Sequence, residues 1–156
     1  MIYAALKLAH LLAIIVWIGG MVFALFFLRP ATLALEPPVR LRLMHNALGR
    51  FFKAVLIAAV IVLASGLWMI ARVAKESVQA GLGFNMPLSW TIMAVLGVVM
   101  IGIFGHIRFA LYKRLTQAVA SSNWTAGGAA LASIRTWVGI NLSIGVIIIA
   151  VTLLLV

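Results

Sequence analysis

Four long runs of apolar residues, separated by stretches where basic and polar residues collect, set the pattern of this chain. The runs cover about residues 3–28, 51–73, 88–112 and 134–156, and each reaches the roughly 20 residues that carry a helix across the hydrocarbon of a bilayer. The first, which includes LKLAHLLAIIVWIGGMVFALFFLRP, stops at Arg29-Pro30. Glu36-Pro37-Pro38 then opens a basic stretch in which Val39, Leu43, Met44, Ala47 and Phe51 recur at near-helical spacing between Arg40, Arg42, Arg50 and Lys53. That spacing predicts a short amphipathic helix at the membrane interface, running into the second span. The third span begins at Pro87-Leu88-Ser89-Trp90, with proline at a first-turn position and tryptophan at interface level. Lys113 to Ser133 reads as a polar connection, with SSNWTAGG its most loop-like part, and Arg135 and Trp137 lead into the fourth span.

The basic residues are distributed unequally between the two ends of these spans. Arg29, Arg40, Arg42, Arg50, Lys53, Arg108, Lys113, Arg114 and Arg135 belong to the first and third connections, against Lys7, Arg72 and Lys75 at the opposite end. The positive-inside rule puts the richer end in the cytoplasm and both chain termini outside. The expected fold is all-α: one membrane domain over residues 1–156, an antiparallel four-helix bundle, N-out and C-out, with a short amphipathic helix in the first cytoplasmic connection.

Composition agrees and removes other classes. Of 156 residues, 66% are hydrophobic and 9% charged, which is outside the range of soluble domains. The net charge of +10 sits beside apolar spans, so its expected partner is anionic lipid on the cytoplasmic side, and no nucleic acid. There is no cysteine, so a soft-metal site must use histidine and methionine. The first run is too long for a cleaved signal and reads as a retained helix. Glu36 and Glu76 are the only carboxylates and both fall in connections. They support neither paired-acid catalysis nor an intramembrane relay. No phosphate loop or nucleophile elbow occurs. Catalytic residues are therefore not assigned, and an enzyme here would be a haem-dependent membrane oxidoreductase.

Ionisable groups inside the hydrocarbon mark function by default. In the first span His10, Ile14, Trp17 and Met21 are spaced i, i+4, i+7, i+11 and share a face, with Lys7 one turn above His10. Helix rise puts His10 and Met93 at a similar outer level, while His106, sixteen residues past Trp90, is about 24 Å further in. The reading is an outer pair, His10 with Met93 (or Met21 or Met69), and an inner pair, His45 with His106 near Arg108. Imidazole and thioether suit Cu(I), and the same groups serve as axial ligands of haem b. The cofactor is thus copper or haem. Each residue also has an ordinary role: His10 bonded to Asn141 or a carbonyl, Lys7 snorkelling or neutralising a haem propionate, Trp17 packing a core or lining a pocket, the methionines as core filler.

The stretches KLAHLLAIIVWIGGMVFALFFLRPA, GRFFKAVLIAAVIVLASGLWM and HIRFALYKRL resemble the copper resistance protein D (CopD) family of bacterial inner-membrane proteins over the first three spans. They also resemble the small four-helix family of haem-linked protoporphyrinogen oxidases (HemJ). By position, His10 corresponds to a first-helix histidine, Ser65-Gly66 to a small pair of the second span, and His106 to Arg108 to the polar end of the third. Both families tend to carry a lysine in the outer half of the third span; Ser89 to Val99 has none, and Met93 is the nearest replacement. The resemblance implies a helical, multi-pass protein of the bacterial inner membrane associated with copper uptake or haem; joined to the His/Met reading of the residues, the expectation is a CopD-like protein that handles copper through that intramembrane site. A b-type haem protein with a redox role and an accessory subunit without a cofactor are the alternatives. A periplasmic metal carrier, a larger membrane complex and a second copy of the chain are the partners this leaves open.

Overall fold

The computed structural model describes residues 1–154, and the last two positions of the expected fourth span lie outside it. Four helices are long and apolar enough to cross a membrane: α1 (Ile2–Ala31), α2 (Pro37–Gln79), α3 (Leu88–Ala120) and α4 (Trp124–Leu154). No strand occurs among the described residues. α1 packs chiefly on α2, and α3 on α4, with α4 also touching both α1 and α2. Between α1 and α3, the Trp17 and Phe104 rings meet edge to face with centroids 5.8 Å apart. The outer surface is apolar. Ile15, Phe26, Phe27, Val98 and Ile147 are all more than half exposed, as a lipid-facing surface requires when every backbone group is already paired within its helix.

The helices are longer than the expected spans, and mostly at the basic end. α2 has 43 residues, about 64 Å of helix at 1.5 Å per residue against a hydrocarbon core of about 30 Å. The amphipathic segment is therefore not a separate interfacial helix. It continues unbroken into the span and buries Leu41, Met44, Leu48 and Phe52, whereas Val39 and Leu43, assigned to its apolar stripe, are exposed. The third connection is also shorter than expected. α3 runs to Ala120, only Ser121 to Asn123 form the turn, and the glycines of SSNWTAGG lie inside α4. Ser122 takes a left-handed φ of 54° there, and Asn123 Oδ1 caps the new helix by accepting from Ala126 N at 3.0 Å.

Two π-helical turns interrupt the regular helices, Ala24–Leu28 in α1 and Ile107–Leu111 in α3. The first directly precedes Pro30, which has no N–H to give to the preceding turn, and a wider turn absorbs that break.

The core occupies the middle and the basic half of the bundle. Its outermost buried residues are His10 on α1, Ser65 on α2, Met100 on α3 and Gly145 on α4. Beyond them no described residue is buried, so the opposite end of the bundle is loosely packed and open. At the basic end Tyr112 acts as a latch: its hydroxyl donates to the His45 carbonyl at 3.1 Å, and its ring stacks on the His45 imidazole with centroids 5.1 Å apart. A methyl group on Gly49 would run into that hydroxyl. Gly49→Ala is expected to cost about 1–3 kcal/mol, seen as a lower melting temperature in detergent. Much of the loss should return in the Gly49→Ala/Tyr112→Phe double variant, because the two positions share one contact.

Candidate functional site

Two polar side chains meet at the boundary between the closed core and the open end. His10 is 8% and Ser65 2% exposed, and His10 Nδ1 lies 2.9 Å from Ser65 Oγ. The helical register brings them together: α1 and α2 run antiparallel, and each carries one polar residue at this level of an otherwise apolar face. Gly66 completes the fit. A Cβ on it would stand 3.3 Å from His10 Cε1, so the imidazole lies close against the α2 backbone, an approach that a small residue permits.

The bonds of Ser65 Oγ bear on the tautomer of the ring. Ser65 Oγ has one proton and donates it to the Ile61 carbonyl one turn back, the usual bond of a serine inside a helix. Its lone pairs are then what is left for His10, an arrangement served by the Nδ1–H tautomer, which leaves the lone pair on Nε2. A histidine held this way by its second nitrogen has the arrangement found in metal-binding imidazoles.

The other sequence candidates fall elsewhere. Met21, on the same continuous helix as His10, is eleven residues away, about 16 Å. It cannot share an ion with His10, and at 2% exposure it belongs to the core. Trp17 resolves the same way: its edge-to-face contact with Phe104 and 4% exposure make it a core aromatic. Met93 is half-buried in the outer part of α3, above the level of its first buried residue, Met100, and the main packing of α3 is against α4. Lys7 is exposed one turn above His10.

His45 and His106 are not brought together as an inner pair. His45 Nε2 is 2.9 Å from Thr116 Oγ1, whose own proton goes to the Tyr112 carbonyl, so the imidazole donates here and is held against α3. His106 is exposed and meets the Trp137 ring edge to face at 5.2 Å. It lies six residues, about 9 Å, along α3 from the tyrosine that His45 stacks on. Arg108 spreads over Tyr112 at 5.2 Å. Among the described residues no three histidine or carboxylate side chains gather as a metal cluster.

Asn141, an expected partner of His10, is 1% exposed, and its Oδ1 has no hydrogen-bond partner. His10 bonds Ser65 instead. Buried orphan oxygens carry a desolvation cost of about 1–3 kcal/mol. Asn141→Leu, with the same branching and number of heavy atoms, is expected to raise the melting temperature of the purified protein by a few degrees.

Sequence reasoning passed over Ser65 as the partner of His10, although Ser65-Gly66 was read correctly as a place of close approach. The usable signal was scarcity: a buried polar group needs a partner, and Ser65 is the one hydroxyl in the apolar run facing α1.

The family model described as copper resistance protein D matches residues 45–155, more than two thirds of the chain. The matched part contains Ser65, Gly66, Met69 and Met93 and begins after α1, which carries His10. No curated protein and no solved structure matches the chain.

Proposed function

The chain belongs to the copper resistance protein D family, and from that premise we propose that it takes up or transfers copper as cargo through an intramembrane site centred on His10. The observation that carries this reading is the His10–Ser65 pair at the mouth of the core. The serine holds Nδ1 as the donor, Nε2 keeps its lone pair, and the open end of the bundle gives an ion access to that level. Cuprous ion accepts imidazole and thioether ligands and tolerates low coordination numbers. Met69 is the thioether favoured by register, four residues beyond Ser65 on the same face of α2 and one turn nearer the open end. Met93 is at a comparable level on α3 and would join if the loosely packed ends of the helices closed. With the basic end in the cytoplasm of a bacterial inner membrane, the open end faces a soluble copper carrier outside.

The test is a Cu(I) competition titration of the detergent-purified protein against a chelator of known affinity. Wild type is expected to bind one ion. Ser65→Ala, which removes only the group orienting His10, should bind it about 10–100-fold more weakly, the usual effect of losing such a partner. Wild-type protein without Cu(I) affinity, or a Soret band with stoichiometric iron, would overturn the reading.

A further inference from the structure

A second polar site lies at the basic end, far from His10. α3 and α4 enclose an open groove of about 450 Å³ beside their connecting turn, within the size range of small-ligand sites. Arg114, Gln117 and Ser121 line one wall, Asn123 the turn, and Ser133 the other wall, above a floor of alanines that includes Ala130.

The hydrogen-bond inventory of this groove is biased toward donors. Ser121 gives its proton to the Gln117 carbonyl at 2.9 Å and so adds no donor, whereas Asn123 Oδ1 is taken by Ala126 N, which leaves the Asn123 amide N–H groups free. The Ser133 hydroxyl, the Gln117 amide and the Arg114 guanidinium have no partner among the described residues. No carboxylate lines the groove, and the chain's two acids are elsewhere: Glu76 pairs with Arg72 at 2.7 Å, and Glu36 precedes α2. A cationic fork among neutral donors, without a competing acid, selects an anion, and the planar guanidinium suits phosphate oxygens.

Depth identifies the source of that phosphate. About 20 residues of α3 counted from Leu88 exhaust the hydrocarbon and leave Arg114 about 9 Å beyond its edge. The same count back from Leu154 on α4 brings Ser133 to that edge. Both walls therefore stand at headgroup level.

We propose that the α3–α4 groove binds the phosphate of an anionic phospholipid headgroup, with Arg114 as its principal contact. The test uses the full chain in uncharged detergent and follows melting temperature with three probes: short-chain phosphatidylglycerol, short-chain phosphatidylcholine and inorganic phosphate. Phosphatidylglycerol is expected to give a saturable upward shift, and the other two none. Arg114→Gln, at an exposed position without an ion pair, should weaken the phosphatidylglycerol response by about tenfold or more, and Ser133→Leu, which fills the groove, should do the same. Lys113→Gln removes the same charge one residue away, outside the groove, and should respond like wild type. An equal response in Arg114→Gln and Lys113→Gln, or no response in wild type, would overturn the site. An Arg114-dependent shift of the same size with inorganic phosphate would overturn the lipid as its source.

Discussion

Replacing His10 by alanine is expected to abolish measurable Cu(I) binding in detergent, a larger loss than the roughly 10–100-fold that follows removal of an orienting partner. In the proposed site His10 is the ligand with the lone pair, and the thioethers near the open end have no second imidazole beside them to replace it. His10→Ala also leaves Ser65 without its acceptor role, but Ser65 keeps its bond to the Ile61 carbonyl, so no buried donor is orphaned. The variant should fold, with a melting temperature within a few degrees of wild type. That separates the outcomes. Lost binding in a folded protein supports the site, whereas retained one-to-one binding by folded His10→Ala would move copper elsewhere in the bundle. Met69→Leu provides an intermediate case: it preserves volume and removes only the sulfur, so any loss of affinity reads as a lost ligand.

The fold was legible in the sequence to the extent that hydropathy governs it. Four apolar runs became four helices because a bilayer admits only helices and closed barrels, and these runs are about twice the length of a barrel strand. The ends of the helices were less legible. The segment 37–50 has an apolar stripe, and an apolar stripe on a basic helix is equally suited to lie on a membrane or to pack against protein. Only the tertiary structure reveals that Leu41, Met44 and Leu48 are buried. The buried face is rotated from the one read off Val39 and Leu43, because arginines border both faces and local periodicity does not choose between them. SSNWTAGG misled for a related reason: small and glycine residues that mark loops in soluble proteins also let membrane helices approach closely.

The site was legible in part. Scarcity singled out His10 as a candidate, since a lone ionisable group deep in an apolar span is costly enough to require an explanation. Its partners were not legible, because depth along a helix can be counted but the neighbour of each helix cannot. Met21 shared a face with His10 and was thereby the wrong kind of neighbour, three turns away on the same rod. Met93 shared a depth but lies on a helix that turns to α4. Ser65 satisfied both depth and neighbour, and a serine bonded to its own backbone gives little outward sign in sequence.

The largest loss of stability is expected from Phe52→Ala. Phe52 is 1% exposed and forms the hub of the aromatic core: its ring lies edge to face with Phe104 at 6.0 Å and with Tyr112 at 5.4 Å. Phe104 in turn meets Trp17, so a run of rings joins α1, α2 and α3. Truncating a buried phenylalanine costs about 3–5 kcal/mol in water-soluble cores, and aromatic pairs add about 0.5–1.5 kcal/mol each. In a bilayer the unfolded reference is itself apolar, so transfer from water contributes little and the cost comes from lost packing and the cavity left behind. The expected value is therefore near the lower end, about 3 kcal/mol, still a large part of the total stability of a small domain. Denaturant titration in mixed micelles measures it. Phe52→Leu, which retains most of the volume but not the ring, should lose clearly less than Phe52→Ala. An equal loss in the two would mean that ring-to-ring geometry, rather than filled volume, holds α2 to α3. Because this hub is well inside the His10 level, Cu(I) affinity in the folded fraction of Phe52→Leu should match wild type, which keeps the core and the proposed copper site separable by experiment.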